Sequence, residues 1–150
     1  MSELHVLFKV ADAEYVVPAN EVLHMESFTG ATRVPGTPDY VAGLVQIRQR
    51  VVPVVDLRAR FGLPPGTLGL EARVVVVEHE GRVVGLLADS AREVLRIPEE
   101  ALRAPPEVVA NRAQGFVRGI AQAGGRLVMV IDIAKVIGAA PLTEESLHAQ

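Results

Sequence analysis

Few residues in this 150-residue chain have both the type and the spacing that chemistry requires. The four histidines, His5, His24, His79 and His148, are far apart and show no metal-ligand spacing. Cysteine is absent, which removes disulfides, thiolate metal sites and thiol nucleophiles. The motifs of phosphate-binding loops, dinucleotide-binding turns, zinc proteases and serine-hydrolase elbows are all missing. Two acidic arrangements remain. Asp56 and Asp132 occupy matching sequence surroundings and could form a carboxylate dyad. His24, Glu26 and Asp56 could make a hydrolytic barrel, but only residue identity supports that. For the aspartates a structural account suffices. Each stands where a strand gives way to a short helix, and its carboxylate can accept the first free helical N–H groups. The expectation is a protein that is not an enzyme and uses no cofactor or metal.

The elements that carry these residues are duplicated. Residues 40–62, YVAGLVQIRQRVVPVVDLRARFG, align without a gap on residues 116–138, FVRGIAQAGGRLVMVIDIAKVIG, at an offset of 76. Among the identities are Gly43/Gly119, Gln46/Gln122, Arg50/Arg126, Asp56/Asp132 and Gly62/Gly138. A second echo sets NEVLHM, residues 20–25, on REVLRI, residues 92–97. Each long copy predicts a strand, a tight turn, a second strand, an Asp N-cap, a short helix and a Gly just past its end. Gly124-Gly125 suits a two-residue hairpin, whereas Arg48-Gln49 is a costlier choice for positive φ. Further strands are expected over 4–10, 14–18, 73–77 and 83–88, and Pro53 suggests an edge strand or a bulge.

Composition agrees with an all-β reading. Val supplies 25 residues, and β-branched side chains favour pleated, half-buried strands. Net charge is −3 with no basic stripe, so nucleic acid is not an expected partner. No apolar run approaches the roughly 20 residues of a spanning helix, and the first residues have no signal-peptide pattern. A cytoplasmic protein with no membrane insertion is expected. Two barrel-like units follow, at about 14–65 and 70–140, with the N-terminal strand free to pair with the second and a polar tail at 141–150. Several strands are apolar on both faces, among them Val51–Val55 and Arg73–Val77. Outer faces should therefore bury against the sister unit, and some should stay open to partner proteins.

Residues 34–63, VPGTPDYVAGLVQIRQRVVPVVDLRARFGL, resemble the signature stretch of CheW-type proteins. FKVADAEYVVPANEVLHM (8–25), RVVGLLADSAREVLRI (82–97) and FVRGIAQAGGRLVMVIDIAKVI (116–137) resemble other blocks of that family in the same order. The resemblance spans about residues 4–138 and implies one CheW-like domain of two SH3-like five-stranded barrels packed together. It also implies an adaptor joining the cytoplasmic tips of methyl-accepting chemoreceptors to the regulatory domain of a CheA-type histidine kinase. Other CheW-like domains are further implied partners, and a regulator that competes with a standard CheW is the alternative. By motif match, Val22, Gly43, Arg48 and Gly85 fall on the receptor groove. Two departures stand out. His24 replaces the acidic partner of Arg48, so that either Glu26 or Glu21 takes over that ion pair or Arg48 is free, and Gln49 replaces a Gly.

Overall fold

The structure, a computed structural model, describes residues 4–108 and 115–138. The expected tail at 141–150, His148 and part of the loop after Pro105 lie outside the described residues. Among the described residues ten strands form two five-stranded sheets. They are β1 (Leu4–Val10), β2 (Ala13–Pro18), β3 (Val22–Ser27), β4 (Val41–Ile47) and β5 (Arg50–Asp56), then β6 (Arg73–His79), β7 (Arg82–Ala88), β8 (Ser90–Arg96), β9 (Val117–Ala123) and β10 (Arg126–Ile131). Short helices α1 (Leu57–Arg60) and α2 (Ile133–Ile137) follow β5 and β10. One sheet has the order β8-β1-β2-β10-β9 and the other β3-β6-β7-β5-β4.

This pairing departs from the expected boundary between residues 65 and 70. Strands β6 and β7 complete the sheet begun by β3, β4 and β5, while β1 and β2 pair with β8 and β10. The unit spanning 22–88 is thus inserted into the other. The chain crosses between them at the 3-10 turn Ala19–Glu21 and again at Asp89, the single residue between β7 and β8. Each hairpin pairs antiparallel, but the joins β5–β7 and β2–β10 are parallel and bring together segments distant in sequence. No local pattern announces them.

Both sheets close by one device. After edge strand β3 the chain returns to the opposite edge, where Thr32 exchanges two backbone hydrogen bonds with Leu44 of β4, at 2.9 and 2.8 Å. In the other sheet Arg103 does the same with Ile120 of β9, at 2.9 and 2.8 Å. Leu44 and Ile120 are equivalent in the repeat.

Three apolar clusters result. Val52, Val54, Val74, Val76 and Leu87 fill the inserted barrel. Leu7, Val16, Val128, Val130 and Ile97 fill the other. The third and largest lies between the barrels and joins Val55, Val75, Val77 and Leu86 to Val6, Phe8, Val17 and Ile131. Strand β6 therefore has no polar face: Val74 and Val76 point into its own barrel, Val75 and Val77 towards the sister. Five of the six aromatic residues belong to this middle cluster, with Phe8, Tyr15, Phe61 and Phe116 in successive ring contacts of 5.1–6.1 Å between centroids. Burial raises the Tyr15 pKa.

Pro53 sits in an interior strand, not at an edge, and the register shift of that hairpin falls at Val41/Gly43 instead. It faces Leu44, whose own N–H and C=O are spent on Thr32, and pairing of β5 with β7 begins only at Val54. No ladder bond is asked of the missing N–H.

Asp56 Oδ1 accepts from Arg58 N at 3.0 Å and Asp132 Oδ1 from Lys135 N at 3.2 Å. Past α1, Gly62 (φ 74°) and Leu63 return hydrogen bonds to Ala59 O and Arg58 O, a Schellman closure. Replacing either Asp by Ala is expected to lower stability by about 1 kcal/mol. Urea unfolding of Asp56→Ala and Asp132→Ala checks this, and an unchanged midpoint in both would remove the capping role.

Candidate functional site

The seam between the barrels ends at two edge strands. In β3 burial alternates, and a register shift between Val22 and His24 turns the strand over. Val22 is half-buried against the inter-barrel cluster. Met25 stands opposite Val75 of that same cluster, yet Met25 is 39% and Leu23 45% exposed. Across the seam, Val94 of β8 faces Val6 and is 55% exposed. β8 contacts β6, the neighbour of β3, so both edges border one seam. Apolar residues thus edge the seam on both sides, half-buried Val22 with exposed Leu23 and Met25 as a strip on β3 and exposed Val94 on β8.

Beside the strip lies an ion pair. Arg48, 70% exposed at the β4–β5 turn, donates from Nε to Glu26 Oε2 at 3.2 Å. Of the two candidates, Glu26 holds Arg48, while Glu21 accepts His79 at 2.6 Å. His24 Nδ1 approaches the same Glu26 oxygen at 3.0 Å without hydrogen-bond alignment. Arg48 and Gln49 both adopt positive φ, 53° and 66°.

Gly43 and Gly85 are buried, and neighbouring atoms of the chain fill the space beside them. A Cβ on Gly43 would lie 2.2 Å from Thr32 O, and one on Gly85 would lie 2.5 Å from Val74 Cγ1. Both glycines shape the inserted barrel without presenting backbone to the surface.

The constellation His24, Glu26 and Asp56 is not assembled. Asp56 caps α1 at the far end of β5 from the Arg48 turn, roughly 20 Å of extended chain away. Asp56 and Asp132 each spend Oδ1 on the cap of a separate helix. Among the described residues no group of His, Asp and Glu could hold a metal ion, and no helix is long and apolar enough to cross a membrane.

Comparison with known proteins agrees with this architecture. Residues 4–140 match the CheW-like domain. The chain belongs to the CheW-like family. It is 30% identical to the probable chemotaxis protein CheW of Rhizobium etli, covering 85% of this chain and 83% of that protein. It is likewise 30% identical to the chemotaxis protein CheW of Bacillus subtilis, covering 90% and 86%. Among solved structures, the scaffolding protein TtCheW from Thermoanaerobacter tengcongensis superimposes with a TM-score of 0.83 at 28% identity, covering 93% of this chain and 90% of that one. The CheW-like fold of two SH3-like barrels is therefore present, and CheW-like proteins are non-enzymatic adaptors.

Leu23, Met25 and Val94 escaped motif matching. Their one signal was the echo of NEVLHM in REVLRI, which pairs Val22 with Val94 and Met25 with Ile97. Ile97 is buried in the cluster that fills its own barrel, whereas Met25 is exposed on edge strand β3.

Proposed function

We propose that this chain is a chemosensory adaptor that couples methyl-accepting chemoreceptor tips to the regulatory domain of a CheA-type histidine kinase. Its place would be the cytoplasm, at receptor arrays beneath the inner membrane. The observation that carries this is the apolar strip of β3, half-buried Val22 with exposed Leu23 and Met25, and the exposed Val94 of β8 across the seam. Such a strip suits an amphipathic helix laying one apolar face along the seam. Arg48 and Glu26 border it and supply a polar rim that fixes register. Gly43 and Gly85 contribute by setting the path of β4 and β7. The names of the relatives, chemotaxis proteins and a scaffolding protein, support the same reading.

A second reading rests on His24, which stands where the family's acidic residue is expected and moves the partner of Arg48 to Glu26. On that reading the chain competes with a standard CheW and limits coupling. Kinase assays separate the two, because an adaptor raises receptor-dependent autophosphorylation and a competitor lowers it.

Titration calorimetry against a receptor tip fragment and the kinase regulatory domain tests the proposal. Met25→Glu is expected to weaken receptor binding roughly tenfold or more, since it places a charge in a desolvated contact. Arg48→Ala is expected to weaken receptor binding while leaving the melting temperature near that of the parent, because an exposed pair contributes little to folding. A parent protein that binds neither partner would reject the adaptor reading.

A further inference from the structure

The short helices α1 and α2 end differently. α1 closes on itself through Gly62 and Leu63. In α2 the cap Gly138, with φ 84° and ψ 174°, donates its N–H to Ala134 O at 3.0 Å. The last carbonyls of a helix still require donors. For Lys135 O and Val136 O they come from the other barrel. Arg60 of α1 donates from Nε to Val136 O at 2.8 Å and from Nη2 to Lys135 O at 2.9 Å, and Arg82 of β7 donates to Gly138 O at 2.8 Å. The Arg60 guanidinium also lies over the Tyr40 ring at 3.9 Å and the Phe116 ring at 4.8 Å. Tyr40 and Phe116 are repeat equivalents, one in each barrel, and so are Arg60 and Val136. A single planar cation thus sits at the point where the two copies face each other. The apolar cluster around it is non-directional and would tolerate sliding, whereas a guanidinium fork on two carbonyls and two ring faces fixes direction.

We infer that Arg60 is a positioning residue that holds the two barrels at one mutual orientation. An adaptor that engages partners through both barrels needs that orientation for joint binding more than for either contact alone. This consequence rests on the proposed function, while the orientation itself can be read without any partner.

The absence of cysteine provides the test. Gln46 and Gln122, exposed repeat equivalents on β4 and β9, are replaced by Cys and spin-labelled, and the distance distribution between labels is measured by pulsed electron resonance. With Arg60 present a single narrow distribution is expected. Arg60→Met should broaden or shift it, and Arg60→Lys, which keeps a cation over the rings but loses the fork, should broaden it less. Arg103→Met, an exposed arginine bonded to carbonyls within its own barrel, should leave it unchanged. A distribution for Arg60→Met that superimposes on the parent's would overturn the inference. Should that variant not fold, an unaltered distribution in Arg60→Lys does so instead. With partners added, Arg60→Met should keep each single affinity and lose simultaneous binding of both. A parent that binds neither partner removes the adaptor reading and leaves the distance result standing.

Discussion

Gly43→Ala is expected to be the most damaging small substitution in this chain. The added methyl would meet Thr32 O at 2.2 Å and Thr32 C at 2.6 Å, so backbone and not a yielding side chain must move. Gly43 also has φ 140°, a region L-residues rarely adopt, with strain of about 1–3 kcal/mol. Moving Thr32 away breaks its two hydrogen bonds with Leu44, each contributing about 1 kcal/mol. The loss should total about 3–5 kcal/mol, a large part of the 5–15 kcal/mol that holds an ordinary domain folded. The repeat supplies an internal control. A Cβ on Gly119 would lie 3.1 Å from Arg103 O, and its φ is not in the positive region, so Gly119→Ala should cost about 1 kcal/mol or less. Urea unfolding of both variants decides the matter. A Gly43→Ala protein as stable as Gly119→Ala would show that the closing bridge does not hold the inserted barrel. If it stayed stable yet lost receptor binding, Gly43 would belong to the groove itself.

What the residues disclosed in advance and what they withheld divide along physical lines. The duplicated hairpin, its Asp cap and its terminal Gly are local features, because turn and cap geometry depend on a few neighbouring residues. Strand partnership is not local. β6 could pair with either unit on its pattern alone, since every one of Val74–Val77 is apolar and alternation cannot say which face meets which barrel. The crossover at Asp89 was hidden for the same reason. At the site, the family resemblance offered Glu26 and Glu21 alike as partners of Arg48, while Leu23 and Met25 were not singled out. Their exposure follows from β3 being an edge strand, which no residue on β3 encodes. Gly43 was visibly special, but its constraint comes from Thr32, in a loop with no strand pattern of its own.

Asp89→Asn is expected to alter the pH dependence of folding more than any other single change. Asp89 is the crossover residue, and its half-buried carboxylate joins three segments. Arg58 of α1 donates to it twice, at 3.1 and 2.7 Å, and Ala11 N, in the β1–β2 turn with φ 54°, donates at 2.8 Å. Asp89 N in turn donates to Lys9 O at 2.9 Å. The Arg58 hydrogen bond holds the Asp89 carboxyl below its usual range, with the Ala11 N–H adding to this and burial opposing it. Because the folded pKa lies below the unfolded value of about 4, the stabilisation is complete above that value and is lost as pH falls towards the folded pKa. The parent's unfolding free energy should therefore drop on acidification from about pH 5 downward. In Asp89→Asn that part of the slope should disappear, since an amide does not titrate. At neutral pH the less permissive Asp89→Ala leaves the Ala11 N–H without its acceptor, at about 1–3 kcal/mol. Urea unfolding of the parent and Asp89→Asn from pH 7 to 3 measures this, and parallel curves would show that other carboxylates carry the acid response. Glu93 titrates in the same direction through its bond to Arg126, but it is exposed and binds within one barrel, so its loss should not alter how the barrels are joined. A cooperative parent that splits into two acid transitions in Asp89→Asn would place the joint at the crossover carboxylate, where the chain leaves one barrel for the other.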